Sequence, residues 1–204
     1  MRIIKFISCC VLLLVTGPSF SQTMWKYFSP EDFEARRKKV MEKIGDGVLV
    51  LQAAEMTEAY IKFRQDNNFY YLTGVEVPDA VLILDGKRKE SILLVPDVMS
   101  KDIKVEAHIQ AGEKDAAAYK FTRVLSKTYF TNILQRYAEN RQPFFLQQSP
   151  QEMAEMSRDR CMMIRTSRLD DPWDGRLSKE VNFYNKMKER FPATVVNDIT
   201  PILD

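Results

Sequence analysis

Residues 66–84 read DNNFYYLTGVEVPDAVLIL, and this stretch decides the fold. The adjacent aromatic residues 69–71 are typical of a strand that packs large rings on both faces. Thr73-Gly74 then allows a bend, because glycine tolerates a positive φ. Residues 81–84 form a short apolar run, so the stretch as a whole predicts strand, turn, strand.

Polar residues precede the aromatic run and are the candidates for a binding site. The asparagines 67 and 68 are typical of a turn in which side-chain amides bond to nearby backbone, which is a structural interpretation. The functional interpretation is a polar rim of Arg64, Gln65 and Asn67 at the entrance of the strand, where it contacts a partner or a substrate. Residue types alone leave both interpretations open.

The flanking segments predict a helix and three covered strands. Ser29-Pro30 and Asp32 have the spacing of a capping box at the start of a helix that ends at Gly45. The basic residues 36–39 are interpreted as a solvated face of that helix. Residues 48–51 are a continuous apolar run, typical of a strand covered on both faces. Residues 81–84 and 91–95 flank DGKRKE and predict an antiparallel hairpin with Asp85-Gly86 in the turn.

The second half of the chain continues the alternation of helices and strands. Helices are predicted at 113–120, 127–139 and 150–158, and in a segment that begins at the cap Ser178 and ends before Pro192; strands are predicted at 144–146 and 194–196. Thr200-Pro201 suits the cap and first turn of one more helix. The pattern therefore predicts an α/β fold, a mixed β-sheet flanked by helices.

The first 21 residues have the layout of a secretory signal peptide. Arg2 and Lys5 precede an apolar segment, and the uncharged run at 6–21 is shorter than the ~20 residues of a membrane-spanning helix. Cleavage before Gln22 would leave one domain, 22–204, secreted or periplasmic. Of 30 basic residues two lie in the signal, so 28 basic face 28 acidic residues. This balance argues against nucleic acid and against a membrane partner after cleavage.

Few residues of the chain offer catalytic chemistry. His108 is the only imidazole and has no nucleophile motif near it. After cleavage Cys161 is the one thiol, and its apolar neighbours favour a buried, inert role. The acidic residues 170–175 fail as a calcium loop, because Pro172 and Val181 stand where ligands are required. No catalytic or metal-binding residue is predicted, and the chain alone is predicted to be inactive.

Several spaced motifs agree with one family. The first motif lies in the first helix and consists of Phe33, Arg36 and Arg37, and the apolar strand 48–51 follows it. The second motif consists of Asn67, Phe69, Tyr71, Leu72, Thr73, Gly74, Pro78 and Ala80. The third is a strand that ends in Pro96. Over about residues 29–97 the chain resembles the N-terminal domain of aminopeptidase P, the Xaa-Pro aminopeptidases. Beyond Asp97 the family's Trp-x-Gly segment is missing, while residues 195–204 are similar to the linker into its second domain.

The resemblance implies a fold, partners and a cofactor. It implies the creatinase/prolidase-like mixed sheet, and a C-terminal pita-bread catalytic domain with two metal ions, usually manganese. The motifs of that domain match no position here, so no cofactor is expected in this chain. The implied roles of the N-terminal domain are association in a homo-oligomer and shaping of the entrance for the peptide substrate.

Two functions of different class remain open. The chain is either the non-catalytic N-terminal part of a secreted, metal-dependent Xaa-Pro aminopeptidase, or a stand-alone module of the same fold that binds a peptide or protein. In the first case peptide hydrolysis belongs to the absent catalytic domain. In the second case the chain would use the same fold to hold peptides or partners.

Overall fold

The computed structural model describes residues 28–56, 63–97, 109–149, 162–163, 166–167, 173 and 177–203. In chain order its main elements are α1 (Pro30–Lys43), β1 (Val48–Gln52), α2 (Asn67–Thr73), β2 (Val81–Asp85), β3 (Glu90–Val95), α3 (Glu113–Ala118), β4 (Arg123–Ser126), a 3-10 helix (Lys127–Tyr129), α4 (Phe130–Glu139), β5 (Phe144–Leu146), α5 (Lys179–Arg190), β6 (Val196–Asp198) and α6 (Thr200–Leu203).

The six described strands form one mixed sheet in the order β4-β3-β2-β1-β5-β6. The pairs β1–β2 and β2–β3 are antiparallel, whereas β3–β4, β1–β5 and β5–β6 are parallel. Ile83 lies opposite Val50 on one side and Ile92 on the other. The predicted α/β class with a mixed sheet flanked by helices is therefore confirmed, as is the antiparallel hairpin.

The central strands are buried on both faces. Leu49 and Leu82 belong to one apolar cluster, which includes residues of α1 and α2. Val50 and Ile83 belong to a second cluster, which includes residues of α4 and α5. Because both faces are covered, these strands are continuous apolar runs rather than alternating ones. Each fully buried aliphatic side chain stabilises the fold by about 1.5–3 kcal/mol.

Helix α1 begins as predicted. The Ser29 hydroxyl accepts a hydrogen bond from the backbone N–H of Asp32, and the Asp32 carboxylate accepts one from the backbone N–H of Ser29 at 2.7 Å. Pro30 lies in the first turn, and Gly45 has a φ of +58° just beyond the end of the helix. The sequence predicted both ends because each is fixed by local chemistry.

Arg37 contradicts the predicted solvated face, because it is fully buried. It follows Phe33 by one helical turn and so lies on the buried face of α1. Its guanidinium donates to the backbone carbonyls of Leu72 at 3.0 Å, Tyr119 at 3.3 Å and Lys120. Burial lowers the pKa of Arg37 to about 10.

The predicted strand at 69–71 is wrong, since these residues lie within helix α2. The carboxylate of Asp66 accepts a hydrogen bond from the backbone N–H of Phe69 at 2.8 Å and caps the helix. Phe69 and Leu72, three residues apart, are buried, whereas Tyr71 is 51% exposed. Helical spacing therefore distributes the aromatic run around one turn, and Gly74 ends the helix in the left-handed region.

The hairpin turn differs in one respect from its prediction. Asp85 is the last residue of β2, not part of the turn, and is fully buried. Its carboxylate accepts hydrogen bonds from the backbone N–H groups of Lys87 and Arg88, each at 3.0 Å. The side chain thus closes the turn from the end of the strand.

In the described residues of the second half, the predicted helices and strands are present with shifted bounds. The predicted helix 127–139 is a 3-10 helix followed by α4, and the strand predicted at 194–196 is β6, two residues later. Strand β4 was not predicted, because its four residues include two polar ones at the edge of the sheet. The Ser178 cap and the start of α6 at Thr200 are confirmed.

Several predicted features lie outside the described residues: the signal peptide 1–21, His108, the helix 150–158, Cys161 and all of 170–175 except Trp173. The division into signal and domain therefore stays a prediction. Within the part of the chain that the structure describes, no helix is long and apolar enough to cross a membrane.

Candidate functional site

The predicted rim residues lie together on a groove of about 430 Å³ beside α2, called the rim groove here. Its lining residues are Phe28, Arg36, Arg64, Gln65, Asn67, Tyr70, Tyr71 and Glu76. Its volume is within the range of small-molecule and peptide sites, about 300–1,000 Å³. The structure thus places Arg64, Gln65 and Asn67 around one depression.

Gln65 is the buried member of the three, with 4% of its surface exposed. Its Oε1 accepts hydrogen bonds from the backbone N–H of Ala54 at 2.7 Å and of Asp66 at 3.0 Å. Its Nε2 donates to the carbonyls of Val75 at 3.3 Å and Val77 at 3.1 Å. One amide therefore connects the end of β1, the start of α2 and the segment before β2.

Arg64 and Asn67 are exposed and form the outer edge of the groove. The Arg64 Nη2 donates to the Asn67 Oδ1 at 3.3 Å. A guanidinium carries five N–H donors in a planar fork, so Arg64 can contact a carboxylate or carbonyl of a ligand while it keeps this bond.

Arg36 is a groove residue that the residue-type argument did not select. Its Cζ lies 4.3 Å from the ring centroid of Tyr71, 4.6 Å from that of Phe28 and 5.1 Å from that of Phe33. Its Nη1 also donates to the carbonyl of Tyr71 at 3.0 Å. Cation–π contacts hold the guanidinium in place. The spacing Phe33–Arg36, one helical turn, was the available signal.

The predicted structural motif Phe69, Tyr71, Leu72, Thr73, Gly74 and Pro78 forms α2 and the segment behind the groove. The Thr73 hydroxyl donates to the carbonyl of Phe69 at 2.7 Å and accepts from the backbone N–H of Val75 at 3.1 Å. At Gly74 a Cβ would come within 2.5 Å of the Phe33 ring. These contacts fix the backbone that carries Tyr71.

The lining of the rim groove offers charged groups, amide groups and aromatic rings that can bind a ligand. It combines two guanidinium groups, aromatic faces and one carboxylate, Glu76, and its lining contains no His, Cys or Ser. In the described ranges no three His, Cys, Asp or Glu side chains come together as a metal site. The sequence has one His, and the catalytic-domain motifs that the resemblance implies match none of its positions.

A family model described as "Aminopeptidase P, N-terminal domain" matches residues 33–145. A protein of Coccidioides posadasii named as a Xaa-Pro aminopeptidase is 25% identical over 158 residues, which are 74% of this chain and 32% of that protein. The Xaa-Pro aminopeptidase of Escherichia coli is 33% identical over 73 residues, 32% of this chain and 17% of its own length. The chain thus spans about a third or less of these relatives.

Solved structures give the same fold. A protein from Bacillus anthracis assigned as an aminopeptidase P superposes with a TM-score of 0.61 at 17% identity, over 86% of this chain and 39% of that one. Escherichia coli aminopeptidase P with the inhibitor Pro-Leu superposes with a TM-score of 0.52 at 17% identity, over 86% and 38% of the two chains. At this level of identity the likeness establishes the mixed sheet flanked by helices.

Proposed function

Because this chain belongs to the aminopeptidase P N-terminal domain family, we propose that it acts as the non-catalytic N-terminal domain of a secreted, metal-dependent Xaa-Pro aminopeptidase. The family match over residues 33–145 is the observation that carries the proposal. Peptide hydrolysis, with manganese as the metal, would belong to a C-terminal catalytic domain. The role of this domain would be to associate subunits and to shape the substrate entrance.

The rim groove supports a role at a substrate entrance. Arg64 and Asn67 present donors at its edge, and Arg36 is held among three aromatic rings. Peptide backbone supplies carbonyl acceptors and a terminal carboxylate, which guanidinium groups bind well. Gln65 contributes by fixing the backbone on which these groups stand.

The first test is an activity assay on the purified chain. We expect no release of the N-terminal residue from a peptide with proline in second position, with or without manganese. An active aminopeptidase P, assayed in parallel, serves as the positive control. Metal-dependent turnover by the chain itself, lost in His108→Ala, would contradict the proposal.

The second test is the coding sequence beyond the codon of Asp204. We expect the reading frame to continue into a metal-binding domain. In that longer protein Arg64→Gln should raise KM for a Xaa-Pro peptide about two- to fivefold with kcat unchanged, the scale of one exposed charged contact. Lys188→Gln, on the exposed part of α5 and not in the groove lining, is the matched charge control.

A stand-alone peptide-binding module is the second candidate, and it would use the same rim groove, where Arg64 and Asn67 are exposed. A stop codon directly after Asp204 in an expressed gene would make it the leading function. In that case the chain should bind short Xaa-Pro peptides without cleaving them. Binding should weaken in Arg64→Gln and persist in Lys188→Gln.

A further inference from the structure

A second depression, of about 350 Å³, lies between α1, the start of β3 and the connection from α3 to β4. We call it the basic pocket. Four of its lining residues are cations, Arg37, Lys38, Lys89 and Lys120, and one, Glu34, is an anion. This local excess of positive charge contrasts with the near balance of 30 basic and 28 acidic residues in the whole sequence.

The buried cation of this pocket has no ion pair within the described part of the chain. Arg37 is fully buried and donates to backbone carbonyls, and its Nε has no hydrogen-bond partner among the described residues. Burial of a charge outside ion-pair distance of a carboxylate is unfavourable, and the more distant charge of Glu34 offsets only part of the effect on the pKa of Arg37. Burial accordingly lowers the pKa of the guanidinium to about 10. An anion held in the pocket that Arg37 helps to line would bring a further opposite charge near it.

Two of the lysines occupy backbone positions that normally favour glycine. Lys89 and Lys120 both have a φ of +56°, in the left-handed region. Glycine adopts this region without steric cost, whereas a residue with a Cβ does not. The sequence nevertheless has a lysine at both positions. Their ammonium groups donate to the carbonyl of Met41 at 3.2 Å and pair with Glu31 at 3.2 Å.

Two hydroxyl groups add neutral donors to the pocket lining. The Thr122 Oγ1 accepts a hydrogen bond from the backbone N–H of Ser91 at 3.0 Å, and the Ser91 Oγ accepts one from the backbone N–H of Thr122 at 3.3 Å. Each hydroxyl is thus used as an acceptor by the backbone. Its own O–H is left to donate to an acceptor in the pocket.

We propose that the basic pocket binds a phosphate group, either inorganic phosphate or a phosphate monoester. Phosphate oxygens accept hydrogen bonds and carry about two negative charges near neutral pH, which suits a pocket whose four cations outnumber Glu34 and Glu31, the carboxylates that pair with Lys38 at 2.8 Å and with Lys120 at 3.2 Å. The site does not depend on the proposed aminopeptidase function, and it lies on residues that the rim groove does not use.

The test is a titration of the purified, isotope-labelled chain followed by amide chemical shifts. Sodium phosphate should give saturable shifts confined to the backbone of residues 34–41, 89–91 and 116–122. Sodium chloride and sodium acetate at equal ionic strength should not. Shifts that do not saturate, that spread over the chain, or that acetate reproduces would overturn the proposal.

Glycine variants separate binding from folding. Lys89→Gly and Lys120→Gly remove a charge and relieve the positive φ, so the melting temperature should hold or rise. Each should weaken phosphate binding about two- to fivefold, the scale of an exposed charged contact. Arg141→Gly is the matched control, because exposed Arg141 has a φ of +53° and does not line the pocket.

The comparison of these variants decides the outcome. The double variant Lys89→Gly/Lys120→Gly should bind phosphate about tenfold more weakly, and Arg141→Gly should bind it unchanged. Equal weakening by Arg141→Gly, or full binding by the double variant, would show only diffuse attraction of an anion and overturn the site. Glycerol phosphate in place of inorganic phosphate then tells which source of the phosphate group binds more tightly.

Discussion

The hairpin of β2 and β3 and the preceding segment 63–80 are neighbours in the chain but are stabilised in opposite ways. The hairpin is held by apolar side chains buried on both faces of the sheet. Segment 63–80 has a buried surface too, yet its conformation is fixed by polar side chains bonded to backbone, chiefly Gln65, Asp66 and Thr73. The rim groove lies on the second kind of structure, where single polar contacts position the site.

This difference explains what the sequence predicted. A short continuous apolar run such as 81–84 is compatible with few conformations other than a covered strand. The hairpin and the covered strands could therefore be predicted from the hydrophobic pattern. The conformation of α2 depends on the cap Asp66 and on burial of Phe69 and Leu72, whereas the aromatic residues themselves favour a strand. Local propensity and tertiary packing disagree there, and packing decides.

The candidate site combines residues that the sequence indicated with residues that it did not. Its polar residue types marked Arg64, Gln65 and Asn67, and the structure places them on one groove. Gln65 is buried because its side chain bonds to the backbone carbonyls of Val75 and Val77. These partners lie 10 and 12 residues away, so the residue type alone did not predict the burial. Arg36 was not selected because only Phe33 lies at helical spacing from it, whereas its partner Tyr71 comes from another segment that no spacing rule joins to α1.

The largest expected effect comes from Gly74, where segment 63–80 meets α1. Gly74→Ala should lower the free energy of unfolding by about 2–5 kcal/mol, since it combines a positive φ with a Cβ that would overlap the Phe33 ring. Gly45→Ala is the matched control: its φ is +58°, but the new Cβ would have no atom within 4 Å.

Urea unfolding of both glycine variants measures the difference. Gly45→Ala should cost only about 1–2 kcal/mol, the steric cost of the left-handed region alone. If the two variants lose equal stability, contact with Phe33 adds nothing, and the tight junction between α1 and α2 is not what fixes the segment.

The next effect compares a polar and an apolar side chain of similar burial. Gln65→Leu should cost about 2–4 kcal/mol, because it leaves four backbone groups, three of them in buried hydrogen bonds, without their partner. Leu82→Ala in the hairpin should cost a similar amount, about 2–5 kcal/mol, by creating a cavity.

Hydrogen exchange distinguishes the two variants even when their total costs agree. Gln65→Leu should speed exchange mainly at Ala54 and Asp66, whose N–H groups bond to the lost Oε1. Leu82→Ala should speed exchange throughout the sheet, because the core strands open only with global unfolding. Uniform acceleration in Gln65→Leu would mean that segment 63–80 is not an independent unit and would remove the contrast with the hairpin.

The smallest effect tests a single hydroxyl group. Thr73→Val keeps the shape of the side chain but removes the bonds to the Phe69 carbonyl and the Val75 N–H, and should cost about 1–2 kcal/mol. Thr73→Ser keeps the hydroxyl and should recover most of that loss. Because Thr73 is buried, water cannot replace the hydroxyl without entering the apolar cluster around Leu72. If Thr73→Ser instead has a melting temperature as low as that of Thr73→Val, the methyl group rather than the hydroxyl stabilises the end of α2. This part of the segment would then resemble the hairpin, which is held by apolar contacts.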